Sequence, residues 1–183
     1  MVLRLLKLST GQVSRLLLTM KIRFPWLIIV ALALSSVWAT EPDYTRNIAA
    51  GVLTQALAER ILDAEVDPAS VNTQPDGHAS RIRISHCSYQ TKASEKKSGH
   101  IDLIVRQSET AEGARAQFDS ARVIYRGKEV SGLGEAAFRP ATLSQVHVLK
   151  GRSYIIVTAG ASSKADPKLE ENAASEILRR LRD

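Results

Sequence analysis

Two apolar runs joined by a short turn occupy residues 145–158, with the sequence Gln145-Val-His-Val-Leu149-Lys-Gly-Arg-Ser153-Tyr-Ile-Ile-Val157-Thr158. Runs rich in β-branched residues that flank a glycine-containing turn predict a β-hairpin. The second run is apolar at every position from Tyr154 to Val157, which is typical of a central strand covered on both faces. The hairpin therefore predicts a sheet that other elements pack against.

The segment after residue 80 predicts another strand, with a change of phase inside it. Ile82 and Ile84 alternate with arginines, so we expect the two isoleucines to point into the core. Cys87 and Tyr89 are the next residues expected to be buried, but they have the opposite parity. We therefore expect a β-bulge near Ser85, because one extra residue exchanges the two faces of a strand.

Residues 100–106 predict the partner of that strand, after a charged turn at 91–99. Its alternating pattern places three apolar residues inward, namely Ile101, Leu103 and Val105. Residues 72–79 contain Pro75-Asp-Gly77, which predicts a loop.

Three amphipathic helices are predicted. The first covers 49–64 and repeats apolar residues every four positions, at Leu53, Leu57 and Ile61. The second opens at 108–112, and its apolar stripe consists of Ala111, Ala114, Phe118 and Ala121. The third begins with Asp166 as N-cap and Pro167 in the first turn, and its apolar face consists of Leu169, Ala173, Ile177 and Leu181.

The order of these elements is helix, strand, strand, helix, strand, strand, helix. Strands joined by short turns pair antiparallel, so the order predicts the α+β class. We expect a single domain over 49–183, with an antiparallel sheet of about four to six strands packed on one side by two or three helices.

Residues 1–39 have the composition of a cleavable signal peptide. A basic region precedes the apolar run Leu27–Leu34, and Val37 and Ala39 are small residues suited to a cleavage site. A permanent membrane anchor or a buried core helix is the alternative, but the run is about half as long as a bilayer requires. Translation starting at Met20, or a long basic region starting at Met1, fits this pattern equally.

Signal cleavage near Ala39 predicts a periplasmic or secreted protein with a flexible leader at 40–48 and no permanent membrane anchor. The segment 1–39 contains five of the 25 basic residues and none of the 19 acids. The rest therefore has 20 basic residues against 19 acids, and a near-neutral chain lacks the charge that nucleic-acid binding requires. We expect no nucleic-acid partner.

A single cysteine, Cys87, excludes a disulfide within the chain. It does not follow the apolar run directly, so lipid attachment at a lipoprotein-type site is not expected. An unpaired thiol outside the cytosol is either reactive or buried and inert, and burial is the commoner fate.

No motif predicts a catalytic, cofactor or metal site. The run Gly132-Leu-Gly134-Glu-Ala-Ala137 matches a dinucleotide-binding fingerprint, but Pro140 leaves no room for the helix that such a site needs. The glycines instead predict a turn with positive φ that leads Phe138 into the core. The four histidines form no spacing typical of metal ligands, and no serine lies in a nucleophile elbow.

Several of these motifs together resemble a group of exported bacterial domains of unknown function. The resemblance is carried by Cys87-x-Tyr89, by Val130-Ser-Gly-Leu-Gly-Glu-Ala-Ala-Phe138, and by the hairpin turn Lys150-Gly151, and it covers about residues 53–181. Such domains look like members of the Mog1/PsbP-like α+β group, so the resemblance implies an antiparallel sheet packed by helices. It implies no reaction and no catalytic residue.

The sequence favours a small exported domain that binds a protein or another component of the cell envelope without catalysis. The alternatives are an envelope hydrolase with an unrecognised active site and a purely structural envelope component. If one face of the sheet is open, we expect the contact surface to include residues of two predicted strands, namely His100, Asp102, Ile104, Arg106 and His147.

The export hypothesis predicts that protein purified from its working compartment begins near Thr40. Mass spectrometry of the N-terminal peptide measures this directly. A mature chain that still begins at Met1 or Met20 would contradict cleavage.

Overall fold

Antiparallel strand pairing organises the part of the chain that the computed structural model describes, residues 46–75, 82–96, 98–161 and 164–181. These residues belong to a compact unit, Asp43–Asp183. The helices are α1 (Ile48–Val52), α2 (Gln55–Leu62), α3 (Ala111–Tyr125) and α4 (Pro167–Arg180). The strands are β1 (Ser70–Pro75), β2 (Ile82–Gln90), β3 (Gly99–Ser108), β4 (Lys128–Glu129), β5 (Ala136–Arg139), β6 (Val146–Lys150), β7 (Ser153–Ala161) and β8 (Lys164–Ala165).

The strands form one sheet in the order β1-β2-β3-β7-β6-β5-β4, and the short strand β8 also pairs with β7. Every pairing is antiparallel. The α+β class and the antiparallel sheet are therefore confirmed. The expected counts of four to six strands and two or three helices are too low, because short strands such as β4 and β8 give little periodic signal and the first helix is divided.

The predicted hairpin is confirmed as β6 and β7, which pair from Val146↔Val157 to Lys150↔Ser153. Strand β7 lies near the middle of the sheet and also pairs with β3 over nine residues. Consecutive side chains of β7 point to opposite faces, and Tyr154, Ile155 and Val157 are all buried. The uninterrupted apolar run is thus the consequence of a strand covered on both faces.

Two hydrophobic cores lie on opposite faces of the sheet. The larger core packs α1, α2 and α4 against β3, β6 and β7. The smaller core packs α3 against Phe138, Leu149 and Tyr154. The expectation that all helices lie on one side is therefore wrong, because the alternate residues of β5, β6 and β7 are apolar as well and require their own cover.

Strand β2 has no bulge at Ser85, because its pairing with β3 runs without interruption from Ile82↔Ser108 to Gln90↔His100. The residues buried on the larger core are Arg83, Ser85, Cys87 and Tyr89. The predicted inward positions of Ile82 and Ile84 are therefore wrong. The core accepts an arginine at the end of the strand, so both isoleucines point to the other face and are half-buried.

The predicted first helix is two helices that meet at Leu53 and Thr54. The Asn47 side chain accepts a hydrogen bond from Ala50 N (2.8 Å) and caps α1. The Thr54 hydroxyl accepts one from Leu57 N (3.4 Å) and caps α2. Both are favoured N-cap residues, so a second capping signal inside the apolar pattern divides the helix. Strand β1 likewise replaces the first half of the expected loop at 72–79, namely 72–75, and the remainder lies outside the described residues.

The glycine run forms a turn, as predicted. Gly132 and Gly134 have φ of +82° and +58°, a region that favours glycine. At Gly134 a Cβ atom would also lie 2.4 Å from the carbonyl oxygen of Leu149. Strand β5 follows the turn directly and takes Ala137 and Phe138 into opposite cores.

The expected signal peptide and most of the expected leader lie outside the described residues. Within those residues, no helix combines the length and the apolar sequence that crossing a lipid bilayer requires.

Candidate functional site

One face of the sheet is covered by a described helix over only part of its width. Helix α3 packs on this face against β3, β6 and β7, and it is the one helix of the described residues on this side. The surface beside α3 is here named the open half. It consists of half-buried side chains from three neighbouring strands, namely Ile84, His86, Asp102, Ile104, Arg106 and Ile156.

The strand register determines which of these side chains are neighbours. Ile104 lies between Ile156 of β7 and His86 of β2. Ile84 is opposite Arg106 and is therefore diagonal to Ile104, within reach of a long side chain. Three isoleucines thus form a diagonal apolar stripe across three strands, with polar side chains on both sides. At one end of the stripe, Ile156 also packs against the smaller core beneath α3.

His86 and Asp102 form a hydrogen bond within the open half. The His86 Nε2 atom lies 2.9 Å from Asp102 Oδ1, and the two side chains are 35% and 34% exposed. The carboxylate can only accept, so Nε2 is the donor of this hydrogen bond. No third His, Cys, Asp or Glu joins them to form a metal site in the part of the chain that the structure describes.

The flank of α3 that faces the open half is uncharged. Gln117 marks this flank, because its Nε2 atom donates to Ser108 Oγ of β3 (2.6 Å). Ile124 is seven residues further, almost two helical turns, and so lies on the same flank. Its side chain is 72% exposed. On the other flank, Arg115 pairs with Glu135 in the turn before β5 (3.2 Å).

Arg106 connects the open half to the core beneath α3. Its guanidinium carbon lies 5.9 Å from the centre of the Tyr154 ring, at a distance where a cation and an aromatic face attract each other. Tyr154 is buried and lies opposite Arg106 in the sheet. The half-buried cation therefore lies against a buried ring.

A buried polar network centred on His147 lies under α3. The imidazole is completely buried, and its Nδ1 is 2.5 Å from the Tyr154 hydroxyl. Its Nε2 is 2.7 Å from Gln145 Nε2, which can only donate, so Nδ1 carries the proton. Burial lowers the pKa of His147 to about 4 and raises the pKa of Tyr154. Both groups are neutral at neutral pH.

Four of the five predicted surface residues lie together. His100, Asp102, Ile104 and Arg106 alternate along one face of β3, and each is half-buried. His147 lies on the same face of the sheet but is covered by α3, so its predicted role as a surface residue is wrong. His100 and His147 are also not brought together, since their partners Gly160 and Ile156 are four residues apart on β7, about 13 Å.

The sequence analysis missed His86, Ile84 and Ile156. The expected bulge assigned the residues of β2 to the wrong faces, and Ile156 was attributed only to a strand covered on both sides. Uninterrupted alternation from Ile82 to Gln90 would have placed His86 on the same face as Asp102.

A polar cleft of about 330 Å³ lies at the β2–β3 turn, lined by Gln90, Thr91, Ser98, Gly99 and His100. His100 lies two residues from Asp102 on the same face of β3, so the cleft adjoins the open half. Among the described residues that line the cleft, His100 is the one with a side chain that titrates near neutral pH.

Cys87 and Glu170 are among the ionisable groups buried on the opposite face. Burial raises the pKa of Cys87, and its thiol lies 3.6 Å from the carbonyl oxygen of Leu53. The inert alternative for this cysteine fits that environment. Glu170 of α4 is also completely buried and pairs with Arg139 of β5 (3.2 Å). Burial raises the pKa of Glu170, while Arg139 opposes that shift.

Comparison of the chain with models of known protein families gives no match, and no curated protein matches its sequence.

The neutral state of His147 predicts a loss of stability in acid. Its folded pKa of about 4 lies below its ordinary value of 6.5, so the unfolded chain binds the proton first as the pH falls. The contribution of neutral His147 to the free energy of unfolding is therefore complete above pH 6.5. About 2 kcal/mol of this contribution is lost between about pH 7 and pH 5. Urea unfolding of the wild type and of His147→Gln at each pH measures this loss. The difference between their free energies of unfolding should narrow by that amount as the pH falls from about 7 to about 5.

The matched control is His100→Gln, which removes a half-exposed histidine. The difference in unfolding free energy from wild type should narrow more for His147→Gln than for this variant, because burial lowers the pKa of His147. An equal narrowing for both variants would contradict the assignment to His147.

Proposed function

We propose that the mature chain is an exported binding module and that the open half is its contact surface. The observation that supports this most is the diagonal stripe of Ile84, Ile104 and Ile156, half-buried on a face that the described helices cover only in part. A pattern of apolar residues bordered by polar ones is typical of surfaces that bind other proteins.

The chemistry of the open half favours a protein partner. Its isoleucines supply apolar area that gains from being buried, at about 25 cal/mol per Å². The His86–Asp102 pair and Arg106 supply directional polar contacts at the edge of that area. Arg106 is also held by Tyr154, and a preorganised arginine is among the residues that contribute most to binding. An excess of positive charge, which nucleic acid requires, is absent from this set of residues.

Export to the periplasm or the exterior is part of the same proposal, with cleavage near Ala39. It is supported by the basic and apolar composition of residues 1–39. It agrees with the buried position of Cys87, because a thiol inside the core is protected from oxidation outside the cytosol.

Site-specific photo-crosslinking in cells tests the contact surface. A photoreactive amino acid at position 84 or 104 should give the same discrete crosslinked protein, since the two positions belong to one stripe. The matched control is position 123, because Val123 is 75% exposed on the outer side of α3. The control should not give that product.

A second variant separates specific capture from chance proximity. Ile84→Asp should reduce the product obtained from position 104 by at least about tenfold, because a charge in the stripe opposes burial against an apolar partner. Equal crosslinking from positions 104 and 123, or capture unaffected by Ile84→Asp, would overturn the proposal.

We also propose membership of the Mog1/PsbP-like α+β group. The support is the position of the motifs that suggested it. Cys87 and Tyr89 are both buried on one face of β2, and the glycine run forms the turn that leads into β5. Both motifs are then requirements of the fold and supply no chemistry.

An envelope hydrolase is the second candidate function. The specific observation that favours it is the His86–Asp102 pair, whose geometry resembles the oriented base of many hydrolases. In this alternative, His86 Nδ1 is the base, Asp102 orients it, and the adjoining cleft with His100 receives part of the substrate. Asp102 lies between Ser88 of β2 and Thr158 of β7, so each of these neighbouring strands supplies one hydroxyl beside it on that face.

Hydrolysis assays with ester, phosphoester and peptide substrates test this alternative. A true site should lose at least about a hundredfold in rate in both His86→Gln and Asp102→Asn, while His100→Gln should affect substrate binding. Activity that survives both substitutions, or no activity toward any substrate class, would exclude His86 as a catalytic base.

A further inference from the structure

Strand β1 forms one edge of the sheet. Its inner side pairs with β2 from Ser70↔Ser88 to Pro75↔Arg83, and no described strand pairs with its outer side. An open edge presents unpaired backbone groups that can bind another strand. The question is which groups point outward and what kind of strand they fit.

Two contacts identify the outward-facing backbone groups. Asp67 N donates to Gln90 O (2.8 Å), so the even-numbered residues of β2 direct their backbone groups toward β1. The side-chain Nδ2 atom of Asn47 donates to both Asn72 O (2.7 Å) and His86 O (3.2 Å). Both backbone oxygens therefore lie in the gap between β1 and β2. Since alternate residues face opposite ways, Val71 and Thr73 direct their N–H and C=O groups outward.

The edge of β1 has little of the usual protection against strand pairing, since its one protective residue is Pro75 at the end of the strand. Its sequence Ser-Val-Asn-Thr-Gln-Pro contains no charge, whereas charged residues are a common means of blocking an edge. The opposite edge, β4, is only two residues long and consists of a lysine and a glutamate. Val71 is 50% exposed, so the β1 edge also presents an apolar side chain.

We propose that β1 pairs antiparallel with β1 of a second copy of this chain, about a two-fold axis at Asn72. In this register Val71 of each copy lies opposite Thr73 of the other. Both residues have outward N–H and C=O groups, so each donor meets an acceptor and four hydrogen bonds form. Pro75 has no N–H, and it lies beyond these two pairs.

A second copy fits this edge for two reasons. An uncharged strand meets no like-charge repulsion when it pairs with itself, and the outward groups are symmetric about Asn72, as a two-fold axis demands. The other edge cannot serve as a partner for β1, because two residues are too few for a stable pairing. The dimer continues the sheet across the axis and leaves the open half of each copy free.

Sedimentation velocity of the purified protein over a range of concentrations tests this proposal. The wild type should change from monomer to dimer as the concentration rises to about 1 mM, the range expected for a small interface. Val71→Pro removes one outward N–H from each copy, so it should remain monomeric. The variant should still fold, because proline is tolerated at the outward positions of an edge strand. Val71→Ala keeps the N–H, so its dimer dissociation constant should lie within about tenfold of the wild-type value.

Circular dichroism and thermal unfolding establish that each variant is folded. If Val71→Pro does not fold, Val71→Lys replaces it, because a lysine at this exposed position blocks pairing without altering the backbone. A wild type that stays monomeric over the whole range would overturn the proposal. Dimerisation of a folded Val71→Pro or Val71→Lys equal to that of the wild type would overturn it as well.

Discussion

The pairing of β3 with β7 is the constraint on which the rest of the structure depends. It extends over nine residues, from Gly99↔Ala161 to Gln107↔Ser153, and joins strands that are separated by α3 and the β4–β6 segment along the chain. Its register decides which side chains of both strands face the larger core and which face α3. A shift of β3 by one residue would put Ile104 in place of Leu103 on the larger core and so turn the alternate side chains of this strand to the other face.

The parts of the fold that the sequence predicts well have one dominant local signal. The hairpin of β6 and β7, the burial of Leu103 in β3, and the start of α4 at Asp166 all belong to this class. Strand β2 does not, because isoleucines occupy one parity while Cys87 and Tyr89 occupy the other. Only the partners of each face decide between them. Helices α1, α2 and α4 pack on the face that contains Arg83, Cys87 and Tyr89. That outcome depends on contacts between residues distant in sequence.

The candidate site was half predictable for the same reason. Alternation within β3 is regular, so His100, Asp102, Ile104 and Arg106 were assigned correctly to one face. The covering of His147 depends on the position of α3, which the sequence of β6 does not contain. The partnership of His86 with Asp102 depends on the register between two strands. Single-strand patterns therefore predict membership of a face, while exposure and pairing require the assembled sheet.

The division of the interior into two cores has a spectroscopic consequence. Both tryptophans, Trp26 and Trp38, lie within residues 1–39, so a chain cleaved near Ala39 fluoresces through tyrosine alone. Tyr89 is buried in the larger core and Tyr154 in the smaller one. The other two tyrosines are Tyr44 and Tyr125. In a chain that has phenylalanine at both of these positions, replacing either buried ring with phenylalanine leaves one optical probe for the opposite face. Comparison of the two unfolding curves would then reveal whether both layers melt in one cooperative step.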